Sequence, residues 1–221
     1  MKAHFWHERW ETGQLGFHQA EINALLLQHW PRLAVPNGAP VFVPLCGKSL
    51  DMHWLREQGH PVVGIELSSI AIRDFFEEAG IAAQTHSHGA LRRSSGSGYE
   101  LFCGDFFDLA RRDLAQVRAC YDRASLIALP PEIRVRYAEM LIELLPEEAA
   151  ILLITLEYDQ AKMTGPPHSV APSEVEALFG ADYAIELLES RGPVPASPRF
   201  IERGLDVSTE HVLLLTRTSV A

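Results

Sequence analysis

Residues 40–67 decide the fold of this chain, and they read PVFVPLCGKSLDMHWLREQGHPVVGIEL. An apolar strand pattern over 40–46 ends at Gly47, a helical pattern over 49–58 follows, and a second apolar strand covers 61–67. Strands that are apolar almost throughout are typical of a parallel sheet with helices on both faces. This stretch therefore predicts one βαβ unit of an α/β protein.

The same alternation continues along the rest of the sequence. Further strands are expected at 99–103, 120–129, 149–158, 183–189 and 211–217. The last two are expected to be antiparallel neighbours. The pattern predicts a doubly wound, Rossmann-like α/β domain with a mostly parallel seven-stranded sheet and an antiparallel C-terminal edge strand.

Three segments do not fit the alternation. Residues 1–37 precede the first strand and are expected to form an N-terminal helical lid or extension. Residues 86–98 are expected to form a polar loop, and residues 191–203 a loop that contains Pro and Arg. The chain has 221 residues, which suits a single domain over 1–221.

Composition narrows the functional classes. The formal net charge is −10, so the surface repels phosphate backbones and anionic lipids, and we expect no nucleic-acid or membrane partner. The sequence shows neither a secretory signal nor an apolar run of about 20 residues. Its three cysteines are odd in number and lack metal-type spacing, which fits a cytoplasmic protein. We expect a monomer. We also expect no metal site, because the histidine spacings match no standard ligand set.

Ligand-binding residues are expected at the carboxyl ends of the strands. Gly47 follows the first strand and lets a ligand approach the backbone. Glu66 ends the second strand, and its carboxylate can accept hydrogen bonds from both ribose hydroxyls of an adenine nucleoside. These two residues predict a nucleoside ligand but leave open whether it is a nicotinamide cofactor or S-adenosylmethionine.

Three other residues are candidates for contact with the ligand. Asp105 and Phe106 follow the third strand, where an acid can bond adenine and an aromatic ring can stack on it. The alternative is that Phe106 and Phe107 belong to the core, which we favour for Phe107 more than for Phe106. Arg123 interrupts a buried strand. Either it pairs locally with Asp122 or it faces the ligand, and we favour the second interpretation.

The N-terminal segment can act as a lid. Trp6 and Trp10 are four residues apart and share a helix face. Two glycines then permit a loop that presents Phe17, so the segment can exclude water from a site. Ordinary docking of an N-terminal helix is the alternative.

Taken together, these stretches resemble the thiopurine S-methyltransferase family, in particular its bacterial branch. The matching segments are WxxRWxxGxxGFH at 6–18, VPLCGKSLDM at 43–52, GIELS at 64–68, FDL at 107–109, YDR at 121–123, and YD at 158–159 with GPPH at 165–168. They run in family order over nearly the whole chain.

The resemblance implies the cofactor S-adenosylmethionine and a role for each matching residue. Trp10, Leu45, Glu66 and Arg123 would contact the cofactor, with Trp6 and Phe106 close by. The substrate residues would be Phe17, which packs on an aromatic substrate, and Arg199, which lies near it with Arg123. The implied reaction is S-methylation of aromatic and heterocyclic thiols, with selenium and tellurium compounds as further acceptors.

For this methyl transfer, the main task of the protein is to orient the acceptor. A heteroaromatic thiol reacts as its thiolate and is acidic enough to need no strong base, so we expect no dedicated general base. Arg123 and Arg199 would orient the acceptor and favour its anion. Two rival functions are a nicotinamide-dependent reductase, which a lone glycine at Gly47 disfavours, and a non-catalytic nucleoside-binding module.

Overall fold

The computed structural model describes residues 3–15 and 18–218, apart from the side chains of Ala3 and Arg199. In that part of the chain the α-helices are α1 (Ala3–Glu11), α2 (Ala24–His29), α3 (Asp51–Glu57), α4 (Ser69–Glu78), α5 (Pro131–Leu144), α6 (Pro172–Phe179) and α7 (Pro198–Ile201). The strands are β1 (Val41–Val43), β2 (Val62–Glu66), β3 (Gln84–His88), β4 (Leu91–Gly96), β5 (Tyr99–Cys103), β6 (Ala119–Arg123), β7 (Ala150–Glu157), β8 (Tyr183–Pro195) and β9 (Val207–Arg217).

The strands form one sheet in the order β3-β4-β5-β2-β1-β6-β7-β9-β8. The central strands β5, β2, β1, β6 and β7 are paired in parallel. Pairing is antiparallel toward both edges, at β3-β4-β5 and at β7-β9-β8. The predicted doubly wound, mostly parallel α/β sheet is confirmed, but the described residues contribute nine strands rather than seven.

The two additional strands come from the segment predicted as a polar loop over 86–98. It forms most of a hairpin in which β3 pairs with β4 around a turn at Gly89, whose φ is +59°. The sequence did not indicate this hairpin, because β3, which reads QTHSH, is an edge strand whose exposed side chains are polar like those of a loop. Leu91 is the apolar residue that anchors β4 in the core.

The other edge also differs from the prediction in detail. The antiparallel β9 lies inside the sheet, between β7 and β8, and β8 forms the edge. The run from His211 to Leu215 is buried throughout, whereas β8 is mostly exposed or half-buried. The more apolar strand therefore takes the interior place. The predicted loop over 191–203 is wrong in part, because β8 continues to Pro195 and α7 follows.

The fourth predicted strand, 120–129, stops early. β6 ends at Arg123, and Ala124 adopts a left-handed conformation with φ +65° that breaks the strand. The Asp122 carboxylate then accepts the Leu126 backbone N–H at 3.2 Å and holds a short turn of 3₁₀ helix. This early stop brings Arg123 to the carboxyl end of the sheet.

Helices cover both faces of the sheet. Neighbouring residues of β1 show the division, since Val41 and Val43 pack with α2, α3 and α4, while Phe42 packs with α5 and α6. Within the predicted N-terminal extension, residues 3–15 and 18–37 are helical only in part, in α1, α2 and a 3₁₀ turn over 30–33. Among the described residues, no helix has both the length and the apolar character needed to cross a bilayer.

Candidate functional site

A cavity of about 440 Å³ opens at the carboxyl ends of the central parallel strands. Its walls come from the turn after β1, the ends of β2, β6 and β7, helix α1, and two later segments at 166–167 and 200–203. This is the position at which open α/β sheets bind their ligands. Its volume lies in the range of about 300–1,000 Å³ that is usual for small-molecule sites.

Glu66 forms the fixed polar wall of the cavity. One carboxylate oxygen accepts the Gly47 backbone N–H at 2.9 Å, and the other accepts the Ser68 N–H at 2.8 Å. The residue is only 7% exposed, and burial raises the pKa of its carboxyl, although the backbone donors act in the opposite direction. Since each carboxylate oxygen has a second lone pair, both oxygens can still accept a ligand hydroxyl.

Two residues that line the cavity, Leu45 and Ala124, are held in a left-handed conformation although neither is glycine. Their φ angles are +42° and +65°. Such conformations cost on the order of 1–3 kcal/mol and cluster at ligand sites. Gly47 also has a positive φ, +54°, and a Cβ there would lie 3.4 Å from the Trp10 ring. The turn after β1 is therefore shaped for close packing against α1.

Arg123 lies at the end of β6 and lines the cavity. Its partner is Asp51, whose Oδ2 accepts hydrogen bonds from Nη2 at 3.0 Å and from Nε at 3.3 Å. The local pair with Asp122 that we considered is absent from the described contacts, because Asp122 instead accepts the Tyr137 hydroxyl at 2.6 Å. Sequence reasoning missed Asp51, since an acid at the first position of a helix has an ordinary explanation in the helix dipole.

Trp6 and Trp10 on α1 both line the cavity, as does Arg9 between them. Trp10 is 5% exposed, so its ring is part of the wall rather than of the surface. Phe17, the predicted substrate contact, lies outside the described residues. The lid function of the N-terminal segment stays a prediction.

Asp105 and Phe106 follow β5 but are not part of this lining. The Asp105 side chain accepts the Phe107 backbone N–H at 3.0 Å and caps a 3₁₀ turn. Phe106 is buried and packs against Tyr137 with ring centroids 4.8 Å apart. Their predicted contact with adenine stays a prediction.

The late segment contributes residues that we did not select from the sequence. Phe200 and Arg203 line the cavity, and Arg203 donates hydrogen bonds to the carbonyls of Pro166 at 2.9 Å and Gly165 at 3.2 Å. The side chain of Arg199, the arginine that we selected, lies outside what the structure describes. Both segments carried a signal, in GPPH and in the arginines of 191–203, but their pairing is a tertiary contact.

Two titratable groups of the lining are biased toward their neutral forms. Burial raises the pKa of the Cys46 thiol well above its usual value, with a further contribution from Glu66. Burial also lowers the pKa of His18, and the Lys48 ammonium acts in the same direction. Neither residue therefore adds a charge to the cavity near neutral pH. Among the described residues, no group of three or more His, Cys, Asp or Glu side chains is placed to hold a metal ion.

The sequence profile of the thiopurine S-methyltransferase family matches residues 1–218. The chain belongs to this family. A thiopurine S-methyltransferase of Nitrosospira multiformis is 49% identical over 99% of this chain and the whole of that protein. As a family member, the chain is an S-adenosylmethionine-dependent methyltransferase, and S-adenosylmethionine is its cofactor.

Solved structures show the same fold at low sequence identity. An S-adenosylmethionine-dependent methyltransferase from Anabaena variabilis matches with a TM-score of 0.62 at 14% identity, over 98% of this chain and 95% of that one. The 1,6-didemethyltoxoflavin-N1-methyltransferase of Burkholderia thailandensis, solved with 1,6-didemethyltoxoflavin and S-adenosylhomocysteine, matches with a TM-score of 0.64 at 16% identity. That match covers 98% of this chain and 87% of the other. Both confirm that this thiopurine S-methyltransferase family member has a methyltransferase fold.

Proposed function

We propose that the protein transfers a methyl group from S-adenosylmethionine to the sulfur of aromatic and heterocyclic thiols, thiopurines among them. The observation that carries this proposal is the set of polar and aromatic groups that line one cavity. A buried carboxylate fixed by two backbone donors, an aromatic wall and a guanidinium surround the same space. Family membership favours this reaction over the nicotinamide-dependent and non-catalytic alternatives.

The residues of the cavity fit the cofactor in chemical type. Glu66 offers two acceptor oxygens for a ribose diol, and Leu45 and Trp10 offer apolar contact beside it. Gly47 lets the backbone make this turn without strain, because a residue with a side chain would be strained at the same left-handed φ. We propose Trp6, Trp10, Leu45, Gly47, Glu66 and Arg123 as cofactor-binding residues, with Asp105 and Phe106 at the adenine.

The cofactor supplies a methyl group that is already electrophilic, so the protein must orient the acceptor and exclude water. Arg123 and Arg199 would favour the thiolate form of the acceptor by charge, and Phe17 would pack on its ring. Each charge-assisted contact of this kind contributes on the order of 1.5–3 kcal/mol. The thiol proton goes to solvent, and we propose that no dedicated base receives it.

Selenium and tellurium compounds are further acceptors in this proposal, because their soft atoms attack a methyl carbon as sulfur does. We propose a monomer that works in the cytoplasm on small molecules and has neither a nucleic-acid nor a membrane partner. The net charge of −10 supports the exclusion of nucleic acid and anionic membranes.

The test is a methyl-transfer assay with radiolabelled S-adenosylmethionine. The acceptor panel contains a thiopurine, a substituted thiophenol, a small aliphatic thiol, and selenium and tellurium oxyanions. We expect the heteroaromatic thiols to be methylated with the highest kcat/KM. Methylation of oxygen or nitrogen analogues at the same rate as the thiols would contradict the proposed acceptor class.

A further inference from the structure

Asp51 is a carboxylate that the proposed reaction does not use directly. It is the first residue of α3 and is 1% exposed. Its oxygens serve different parts of the molecule. Oδ1 accepts the backbone N–H of Asn23 at 2.8 Å, while Oδ2 accepts the Tyr121 hydroxyl at 3.0 Å and the Arg123 guanidinium at 3.0 Å. We infer that Asp51 is a positioning residue that fixes Arg123 in the cofactor cavity and ties the N-terminal segment to it, an inference that rests on the proposed function.

The charge pair with Asp51 determines which edge of the Arg123 guanidinium is available. Asp51 takes Nε and Nη2, and the Tyr121 hydroxyl, which binds the same Oδ2, also lies beside the guanidinium. The Arg123 side chain is only 13% exposed, so its charge depends on a partner inside the protein. Removing the Asp51 charge would leave the buried guanidinium uncompensated. Arg123 would then be destabilised in its present position.

The bond to Asn23 connects this pair to the N-terminal segment. Asn23 is 8% exposed, and its side chain caps α2 by accepting the backbone N–H groups of Leu25 and Leu26. Its own N–H is therefore held in one direction, toward Asp51. One carboxylate thus binds both Arg123 in the cavity wall and the residue that caps α2.

Calorimetric titration with S-adenosylhomocysteine tests the inference. Asp51→Asn keeps the size of the side chain and removes its charge, and we expect affinity to fall about tenfold or more. Asp113→Asn is the control, because the Asp113 side chain is also buried and accepts hydrogen bonds from the Ala110 backbone N–H at 2.9 Å and from His88 at 2.9 Å. It lies outside the cavity lining, and its change should leave affinity within about twofold.

A double-mutant cycle separates positioning from a general structural effect. If Asp51 acts through Arg123, then Asp51→Asn should weaken binding no further in an Arg123→Gln protein. Additive losses would overturn the inference, and so would an Asp51→Asn protein that binds like the Asp113→Asn control. Restored affinity in Asp51→Glu would support the need for a charge at this position.

Hydrogen exchange covers the case in which Asp51→Asn does not fold. The Asn23 amide should exchange faster in Arg123→Gln than in Asp113→Asn, because Asp51 has then lost its charged partner and keeps only Tyr121 at Oδ2; equal rates would overturn the inference. Wild-type binding of S-adenosylhomocysteine tests the proposed function separately. Its absence would contradict the cofactor site, while exchange at Asn23 would still report on the link between Asp51 and Arg123.

Discussion

Burial raises the pKa of the Glu66 carboxyl, so this residue becomes protonated at a higher pH than an exposed glutamate does. Protonation removes the charge and one acceptor site, and we expect affinity for S-adenosylhomocysteine to fall as the pH drops through this raised pKa. A raised pKa of an acid favours the folded state at low pH and loses that contribution as the pH rises. The affinity loss is therefore not caused by unfolding through Glu66.

Titration calorimetry from neutral to acidic pH measures the effect, and Glu66→Gln is the matched variant. It should bind more weakly at neutral pH, by about tenfold for a charged hydrogen-bond acceptor, and its affinity should change little with pH. A Glu66→Gln protein that keeps the wild-type pH profile would show that another group titrates.

Gly47 offers a second test at this scale. Gly47→Ala should destabilise the fold by about 1–2 kcal/mol, because alanine is strained at positive φ, and should also weaken S-adenosylhomocysteine binding, because the added methyl group would fill space in the turn that the ligand approaches. Gly38→Ala is the control, since Gly38 has φ +75° with nothing within 4 Å of its added Cβ. It should lose similar stability in thermal unfolding and retain full affinity. Equal affinities in the two variants would contradict a role for Gly47 in cofactor binding.

Helix α1 is the element whose removal should separate binding from folding. The core around the sheet is built from the strands and from α2 to α6, and α1 supplies Trp6 and Trp10 to the cavity wall. A protein that begins at Thr12 should keep its circular dichroism spectrum and a cooperative thermal transition, yet bind S-adenosylhomocysteine at least about tenfold more weakly, since burying one aromatic side chain contributes about 1.5–3 kcal/mol. Full affinity in the shortened protein would exclude α1 from the cofactor site.

The contact between Arg203 and the 165–167 segment should affect the acceptor rather than the cofactor. Arg203→Met removes two hydrogen bonds to backbone carbonyls, each contributing about 1 kcal/mol, and should raise the KM of bulky aromatic thiols several-fold. The dissociation constant of S-adenosylhomocysteine should stay unchanged. Arg32→Met is the control, because Arg32 pairs with Glu186 on the surface; an equal rise of KM in both variants would remove Arg203 from the acceptor site.

At the scale of the whole molecule, both edges of the sheet are built to resist pairing with another chain. The β3 edge is polar, and the β8 edge has register shifts at Leu187/Glu189 and at Arg191/Val194. Polar and irregular edges discourage sheet extension between molecules. We expect light scattering to give the monomer mass of 24.6 kDa at micromolar concentration. Twice that mass would contradict the proposed monomer.

The parts of the fold that sequence predicted are those in which local pattern and tertiary environment agree. The apolar runs of β1, β2 and β7 lie in the interior of a parallel sheet, where burial on both faces demands such a composition. The β3–β4 hairpin has a polar edge strand, so its composition resembles that of a loop. The end of β6 depends on a backbone angle at Ala124 that its residue type does not signal.

The candidate site shows the same division. Gly47 and Glu66 were found because strand order alone places them at one edge of the sheet. Asp51 and Arg203 were missed because their roles depend on partners that are distant in sequence, Arg123 and Pro166. Local patterns do not determine which of several charged side chains meets another after folding.

The interior place of β9 has a consequence for how the protein is made. Within the described residues, the sheet pairs β8 with β9 alone, so β8 leaves the ribosome before the strand that anchors it exists. Until residues 207–217 follow, β7 has an open edge and β8 has no strand to pair with. Defects in β9 would consequently release two strands during biosynthesis, whereas defects in β8 would release one.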